Sequence, residues 1–152
     1  MSEPYLREVD AGDVELLFRW ANDKTTRQNA FNSQQITLEE HKRWFANKLT
    51  SDETIIYIYC IDDIPIGQIR IDIGDNCGMI SYSIDTDFRS RGHGSKIIEL
   101  LESKITMELP KVKTLVARVK KDNEASNRIF ERLQFQKVEK EEYYEYEKEL
   151  DT

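Results

Sequence analysis

A short run of basic residues and glycines, Arg89 to Lys96, carries the strongest chemical signal in the sequence. It lies between an apolar, β-branched segment that ends at Ile84 and a helical pattern that starts near Ile97. Gly92 and Gly94 have no side chains, so backbone N–H groups can approach an anion closely, and the amides at the start of the next helix add to the attraction. The run therefore predicts a phosphate-binding loop.

The spacing within this run excludes two common kinds of phosphate loop. A P-loop needs four residues between its first glycine and a Gly-Lys-Ser/Thr, and a dinucleotide-binding fingerprint needs a third glycine at position 97. Position 97 is an isoleucine, and no glycine in the chain is followed by a lysine. The loop must therefore serve another phosphate ligand.

The loop does match the pattern Arg-x-x-Gly-x-Gly, formed by Arg89, Gly92 and Gly94. This pattern resembles the acetyl-CoA pyrophosphate loop of the GNAT N-acetyltransferase superfamily. Downstream, the strand-like segment 114–119 precedes Asn-x-x-Ser-x-x-x-Phe within residues 123–135, which is similar to the superfamily's next helix and turn. The matching segments follow the superfamily's order from residue 79 to residue 135.

Periodic segments along the chain predict the order β-α-α-β-β-β-α-β-α-β-β, which is typical of a mixed α/β domain. Asp10 and Thr37 are predicted to cap the first two helices, and Pro110 is predicted to mark the end of the helix after the loop. The resemblance implies a single GNAT domain over residues 1–152. Its fold is α/β (α+β), with one mixed, mostly antiparallel sheet of about seven strands and flanking helices.

The resemblance also implies acetyl-CoA as cosubstrate and no metal. In the superfamily, two central strands separate and the pantetheine arm lies between them, against the strand before the loop, here Cys77 to Ile84. The Tyr82 backbone N–H would then face the thioester carbonyl and stabilise the oxyanion. The implied cofactor-binding residues are Tyr82, Ile84, Arg89, Ser90, Arg91, Gly92, His93, Gly94, Ser95, Lys96, Asn123 and Phe130.

Two positions depart from the superfamily's pattern. Phe130 stands where many members have a tyrosine that protonates the leaving thiolate, and Gly78 stands where many have a glutamate base. An acceptor amine of low pKa, such as that of an amino sugar, would depend less on an enzyme acid or base, because water could take its proton after attack. Alternatively, another side chain takes the place of the missing acid or base. The candidates are Tyr82 and Ser83, which we predict as catalytic residues, together with Ser81, Tyr57, Tyr59 and Asp72.

The amino-terminal third is expected to bind the acceptor. Its Trp-x-Asn-Asp and His-x-x-Trp patterns, which start at Trp20 and His41, resemble UDP-amino-sugar N-acetyltransferases of the pseudaminic-acid pathway and, more distantly, ribosomal-protein N-terminal acetyltransferases. Asn22, Arg27 and His41 are the predicted substrate-binding residues, and the Arg27 fork suits a sugar-nucleotide phosphate. Trp20 and Trp44 lie on apolar helical faces, so they either stack on a ring or belong to the core.

The implied function is direct transfer of an acetyl group from acetyl-CoA to a primary amine. The resemblance to those enzymes implies a nucleotide-linked amino sugar, a UDP-amino sugar, as the acceptor. A protein N-terminus as acceptor and a non-catalytic acyl-CoA-binding module remain open as alternatives. Superfamily members are often dimers, so a homodimer is also implied.

Composition narrows the classes of partner. The 152 residues carry a net charge of −7, which opposes a general nucleic-acid or anionic-membrane surface. Without an 18-residue apolar run or a signal peptide, a cytoplasmic protein is expected. Cys60 and Cys77 are isolated and are expected to be reduced thiols rather than metal ligands.

Overall fold

The fold is built on one seven-stranded sheet, seen in a computed structural model that describes residues 2–150. The predicted domain spans residues 1–152, of which 1, 151 and 152 lie outside the described part. The strands are β1 Tyr5–Glu8, β2 Thr54–Ile61, β3 Ile64–Gly74, β4 Cys77–Ile84, β5 Thr114–Lys120, β6 Gln136–Glu139 and β7 Tyr143–Glu149. The helices are α1 Val14–Ala21, α2 Lys24–Asn29, α3 Leu38–Leu49, α4 His93–Glu108 and α5 Glu124–Arg132.

The strands lie in the order β1-β2-β3-β4-β5-β7-β6. All neighbours are antiparallel except β4 and β5, which are parallel. This confirms the predicted mixed, mostly antiparallel sheet of seven strands with flanking helices.

The parallel pair β4–β5 is short. Register pairs join only Cys77, Gly78 and Met79 of β4 to residues 114–116 of β5. The remaining residues of β4, 80–84, pair with β3 alone, and the end of β5 pairs with β7 alone. The centre of the sheet therefore opens into a V-shaped gap, as the resemblance implied.

Each face of the sheet has its own apolar core, because successive side chains of a strand point to opposite faces. On β2, Tyr57 and Tyr59 join the core beneath α4 and α5, while Ile56 and Ile58 join the core beneath α1 and α3. Trp20, only 4% exposed, belongs to the second core. The two helical layers hold the central strands rigid on both sides of the gap.

Three local features differ from the sequence prediction. Helix α2 is a third helix between β1 and β2, where the predicted order had two, because its six residues have no apolar stripe to produce a periodic signal. Asp10 does act as a cap, but of the single 3-10 turn Ala11–Asp13 that precedes α1. Helix α4 starts at His93, four residues before its first buried residue, Ile97, because Gly92 (φ 85°) ends the loop there.

Candidate active site

A cavity of about 990 Å³ occupies the gap between β4 and β5 and extends to both faces of the sheet. On one face it is lined by the loop before α4 and by α5. On the other face it is lined by α1, α2 and α3 with the polar side chains of β3 and β4. After the roles that the resemblance implies for them, we call these the cofactor half and the acceptor half.

The edge of β4 presents main-chain donors to the gap. The Asp85 N–H donates to the Ile66 carbonyl of β3 at 2.7 Å. Because N–H groups alternate between the two edges of a strand, those of Ile84 and Tyr82 point away from β3 and into the gap. They are thus placed where an extended pantetheine arm and its thioester carbonyl could accept hydrogen bonds, as the resemblance implied.

The glycines of the loop allow close approach at the start of α4. Gly92 adopts a left-handed conformation and directly precedes the helix. A Cβ atom on Gly94 would lie 2.6 Å from Cδ1 of Ile129, so any larger residue would push α5 outwards. The first amides of α4 are therefore left facing the cavity, where a pyrophosphate would find both N–H donors and the positive end of the helix.

Two basic residues of the loop extend into solvent. Arg91 and Lys96 are exposed and do not line the cavity, and the Arg91 guanidinium lies 5.8 Å from the centre of the Phe88 ring. His93 lines the cavity, and its Nδ1 is 2.9 Å from the Tyr59 hydroxyl. Burial and the charge of Arg91 lower the pKa of His93, which favours the neutral form of the ring.

The Arg-x-x-Gly-x-Gly motif suggests that Arg89 binds the cofactor, whereas the structure shows its side chain bonded to other residues of the protein. Its Nη2 lies 2.6 Å from Oδ2 of Asp23, and its Nε donates to the Ile84 carbonyl at 3.0 Å. Burial opposes ionisation of Asp23, but the hydrogen bonds from Arg89 and Thr26 outweigh it and lower the pKa of that carboxyl. The charge of Arg89 is therefore already paired within the protein.

The side chains of α5 form the far wall of the cofactor half. The Asn123 side chain caps α5 by accepting from the Ser126 N–H at 3.3 Å. The Ser126 hydroxyl is 2.9 Å from the Tyr82 hydroxyl, and the Tyr82 ring meets Phe130 edge-on at 6.2 Å between centroids. Burial raises the pKa of Tyr82, partly offset by the bond with Ser126. The Tyr82 phenol thus lies beside Phe130, whose ring has no hydroxyl.

Of the other side chains that could replace the missing acid or base, two line the cavity and three do not. Ser81 and Ser83 line the cavity, and the Ser83 hydroxyl accepts from Nε2 of Gln68 at 3.1 Å. Tyr57 and Tyr59 are buried in the core beneath α4 and do not line it. Asp72 is also outside the lining, where it pairs with Lys48 and Arg70.

Gly78 leaves no room for the glutamate found there in many superfamily members. A Cβ atom at this position would be 2.4 Å from Cδ1 of Ile71 and 3.4 Å from Cδ2 of Leu115. Gly78 lies on the paired part of β4, below the point where the strands separate. Core side chains therefore occupy the space that a glutamate at this position would need.

Two of the predicted acceptor-binding residues, Arg27 and His41, line the cavity, and each is bonded to backbone carbonyls. Nη1 of Arg27 donates to the carbonyls of Asn32 and Gln34 at 3.0 and 3.2 Å, while its Nε is buried without a partner among the described residues. His41 lines the cavity and is buried, with Nε2 3.0 Å from the Val14 carbonyl. Burial lowers the pKa of His41, partly opposed by the bond to Val14.

Asn22 lies outside the cavity lining. Its side-chain amide donates to the Ile36 carbonyl at 2.7 Å and accepts from the Ile36 N–H at 2.8 Å. Both ends of the amide are thus used to fasten the segment between α2 and α3. This differs from the sequence prediction of a direct acceptor contact and gives Asn22 a structural role.

The cavity lining is rich in arginine although the protein as a whole is acidic. Within residues 2–150 its lining contains one carboxylate, Glu40, and six arginines: Arg27, Arg70, Arg89, Arg118, Arg128 and Arg132. Arg70 and Arg118 pair with Asp72 and Glu145 at 3.0 and 3.1 Å. The sequence analysis missed these two residues. Strand alternation, which puts them on the face opposite the core of α4 and α5, was the signal that could have found them.

No helix within residues 2–150 has the length and apolarity to cross a membrane. The same residues contain no group of three or more His, Cys, Asp or Glu side chains placed to hold a metal ion.

Comparison with solved structures shows the same fold. A ribosomal alpha-N-protein acetyltransferase in complex with coenzyme A has a TM-score of 0.86 and 18% identity, covering 99% of this chain and 96% of that chain. Spermidine N-acetyltransferase from Vibrio cholerae in complex with CoA and spermine has 0.86 and 11%, covering 96% and 95%. An aminoglycoside acetyltransferase in complex with coenzyme A has 0.80 and 16%, covering 97% and 95%.

Sequence comparison assigns the family. No curated protein matches the chain significantly. The family described as the acetyltransferase (GNAT) domain matches residues 5–136, which span β1 through the start of β6 and include the whole cavity lining. The chain therefore belongs to the GNAT acetyltransferase family and is an acetyl-CoA-dependent N-acetyltransferase.

Proposed function

We propose that this enzyme acetylates the amino group of a nucleotide-linked amino sugar. The observation that carries the proposal is Arg27 in the acceptor half. Its Nε is buried without a partner among the described residues, while Nη1 is fixed by two backbone carbonyls. The Nε edge of a guanidinium, together with Nη2, is the fork that binds a phosphate or carboxylate through two hydrogen bonds.

The charge of the cavity supports an anionic acceptor. Two of the structural neighbours are named for spermidine and aminoglycosides, which are polycations. The lining contains six arginines and one carboxylate, Glu40, but Arg70, Arg89 and Arg118 are paired with carboxylates just outside it. Arg27 has only backbone carbonyls as partners among the described residues, so it keeps a positive charge that repels a polycation and attracts a phosphate group.

Aromatic side chains at the rim of the acceptor half suit a base or sugar ring. Phe31 is 57% exposed, and its ring meets Tyr143 edge-on at 5.5 Å. Trp44 also lines the cavity, with the Arg70 guanidinium 5.4 Å from its ring centre. Flat apolar rings beside arginines are the surface on which a nucleotide stacks while its phosphates are held.

In the reaction, the acceptor nitrogen attacks the thioester carbon and the bond to sulfur breaks. The Tyr82 backbone N–H stabilises the oxyanion, a contribution of about 3 kcal/mol for one such donor. The amine nitrogen then loses a proton to water, and the thiolate gains one. The Tyr82 hydroxyl, bonded to Ser126, and the Ser83 hydroxyl are two cavity groups that could supply or relay that proton.

Calorimetry with UDP, UDP-N-acetylglucosamine and acetyl-CoA tests the acceptor class. We expect UDP ligands to bind the wild type and Arg27→Gln to weaken that binding about tenfold or more, with acetyl-CoA affinity unchanged. Arg43→Gln, an exposed arginine on α3, is the matched control. If acetyl-CoA binds but UDP ligands do not, the nucleotide-sugar assignment is wrong.

A protein N-terminus is the second candidate, favoured by the fold similarity to the ribosomal alpha-N-protein acetyltransferase. A panel of amino-terminal peptides and UDP-linked amino sugars, each with acetyl-CoA, separates the two. Turnover on peptides alone would select this candidate. Binding of acetyl-CoA without turnover on either set would instead favour the non-catalytic acyl-CoA-binding module.

A further inference from the structure

Helix α2, which carries Arg27, is weakly anchored by apolar packing. None of its six residues is buried. A single short helix is marginally stable in water, so its position depends on contacts with the rest of the protein. The polar contacts that hold it are therefore decisive for the geometry of the acceptor half.

The strongest of these contacts come from the cofactor loop. Arg89 reaches Oδ2 of Asp23 at 2.6 Å and Oγ1 of Thr26 at 3.4 Å. The same Asp23 oxygen caps α2 by accepting from the Thr26 N–H at 3.1 Å. One carboxylate thus caps the amino-terminal start of the helix and fastens it to the loop, and Arg27 follows one turn later.

Arg89 is also bonded to the strand that faces the thioester. Its Nε donates to the Ile84 carbonyl at 3.0 Å. The Arg89 side chain is 28% exposed and that of Asp23 23%, so this ion pair is less screened than a surface pair. The guanidinium therefore connects the end of β4, the start of the loop and the first turn of α2.

We propose that Arg89 is a positioning residue for the acceptor half, and that through its bond to Asp23 the binding of acetyl-CoA orders helix α2. A ligand that fixes the loop amides fixes the backbone of Arg89, and the ion pair transmits this to α2. By linkage, an acceptor held by α2 then strengthens acetyl-CoA binding by the same factor. The coupling depends on acetyl-CoA as cosubstrate and not on the identity of the acceptor.

Hydrogen exchange of α2 tests the coupling without an acceptor. In the wild type, saturating acetyl-CoA should slow exchange in residues 24–29 about tenfold, within the usual range of coupling between sites. In Arg89→Gln the slowing should be lost, while acetyl-CoA affinity measured by calorimetry changes less than about threefold. Asp23→Asn, which keeps a capping side chain but removes the charge, should lose it too.

The matched control is Arg91→Gln, a loop arginine without contact to α2. It should weaken acetyl-CoA binding but keep the slowing at saturation. The proposal fails if acetyl-CoA leaves α2 exchange unchanged in the wild type, or if α2 remains protected in both Arg89→Gln and Asp23→Asn. It also fails if Arg89→Gln weakens acetyl-CoA binding more than about tenfold while protection at saturation persists, since Arg89 would then be a pyrophosphate ligand.

Discussion

The cofactor half and the acceptor half of the cavity are built in different ways. The cofactor half comes mainly from one continuous stretch, residues 80–95, and offers backbone amides at the edge of β4 and the start of α4. The acceptor half is assembled from α1, α2 and α3 with polar side chains of β3, β4 and β5, and offers side chains, above all arginines. Sites made of backbone depend on local conformation, whereas sites made of side chains depend on how distant segments meet.

The largest expected effect concerns the closed end of the gap, where β4 and β5 remain paired. Gly78→Glu should destabilise the protein by about 4 kcal/mol, since overpacking costs about 1–3 kcal/mol and burying an unpaired polar group costs about as much. The free energy of unfolding in urea measures this. Gly74→Glu is the control, because its Cβ would meet nothing within 4 Å. A stable Gly78→Glu variant with raised kcat would show that the position opens into the active site.

The second-largest expected effect tests whether the basic residues of the loop serve the cofactor half alone. Replacing Arg91 and Lys96 together by glutamate should weaken acetyl-CoA binding more than about 100-fold, because each charge-assisted contact is worth about 1.5 kcal/mol and reversal adds repulsion. Calorimetry should show UDP binding unchanged. The double variant Lys42→Glu with Arg43→Glu makes the same charge change on the exposed face of α3. Equal losses in both double variants would mean that only net charge matters.

A third prediction tests whether the Tyr82 side chain contributes to catalysis in the cofactor half. Tyr82→Phe should lower kcat about 100-fold, the lower end for loss of a positioned proton donor, without altering acetyl-CoA affinity. Tyr57→Phe is the control, because that phenol is buried in the same core but outside the cavity. An unchanged kcat would leave proton transfer to water, as expected for an amine of low pKa.

The smallest effect concerns the acceptor half and its dependence on pH. Burial lowers the pKa of His41 in the folded protein below its ordinary 6.5. As pH falls below about 6.5, the unfolded chain therefore binds the proton first, and stability present at pH 7 is lost. The wild-type Tm should fall more between pH 7 and pH 5 than that of His41→Phe, which keeps an aromatic ring. Parallel pH dependence in the two proteins would show that His41 does not titrate on unfolding.

Motifs located the cofactor half because its chemistry is local. Gly92 and Gly94 are visible as missing side chains, and the start of α4 follows them directly. The resemblance likewise implied roles for the backbone of Tyr82 and Ile84, which lie on the edge of β4 that faces the gap. Helix α2 gave no such signal, because a short polar helix has no apolar period and is stabilised by a residue 66 positions away, Arg89.

The amino-acid sequence by itself predicted the seven strands, four of the five α-helices and the glycine-rich loop before α4, since periodicity and glycine positions act over a few residues. Tertiary structure decided which side chains remain free for a ligand. Arg89 matches a phosphate motif yet is paired with Asp23, Asn22 matches a binding pattern yet fastens Ile36, and Arg27 keeps a buried Nε without a partner among the described residues. A polar side chain can bind a ligand only if the folded protein has not already satisfied it, and that depends on neighbours distant in sequence.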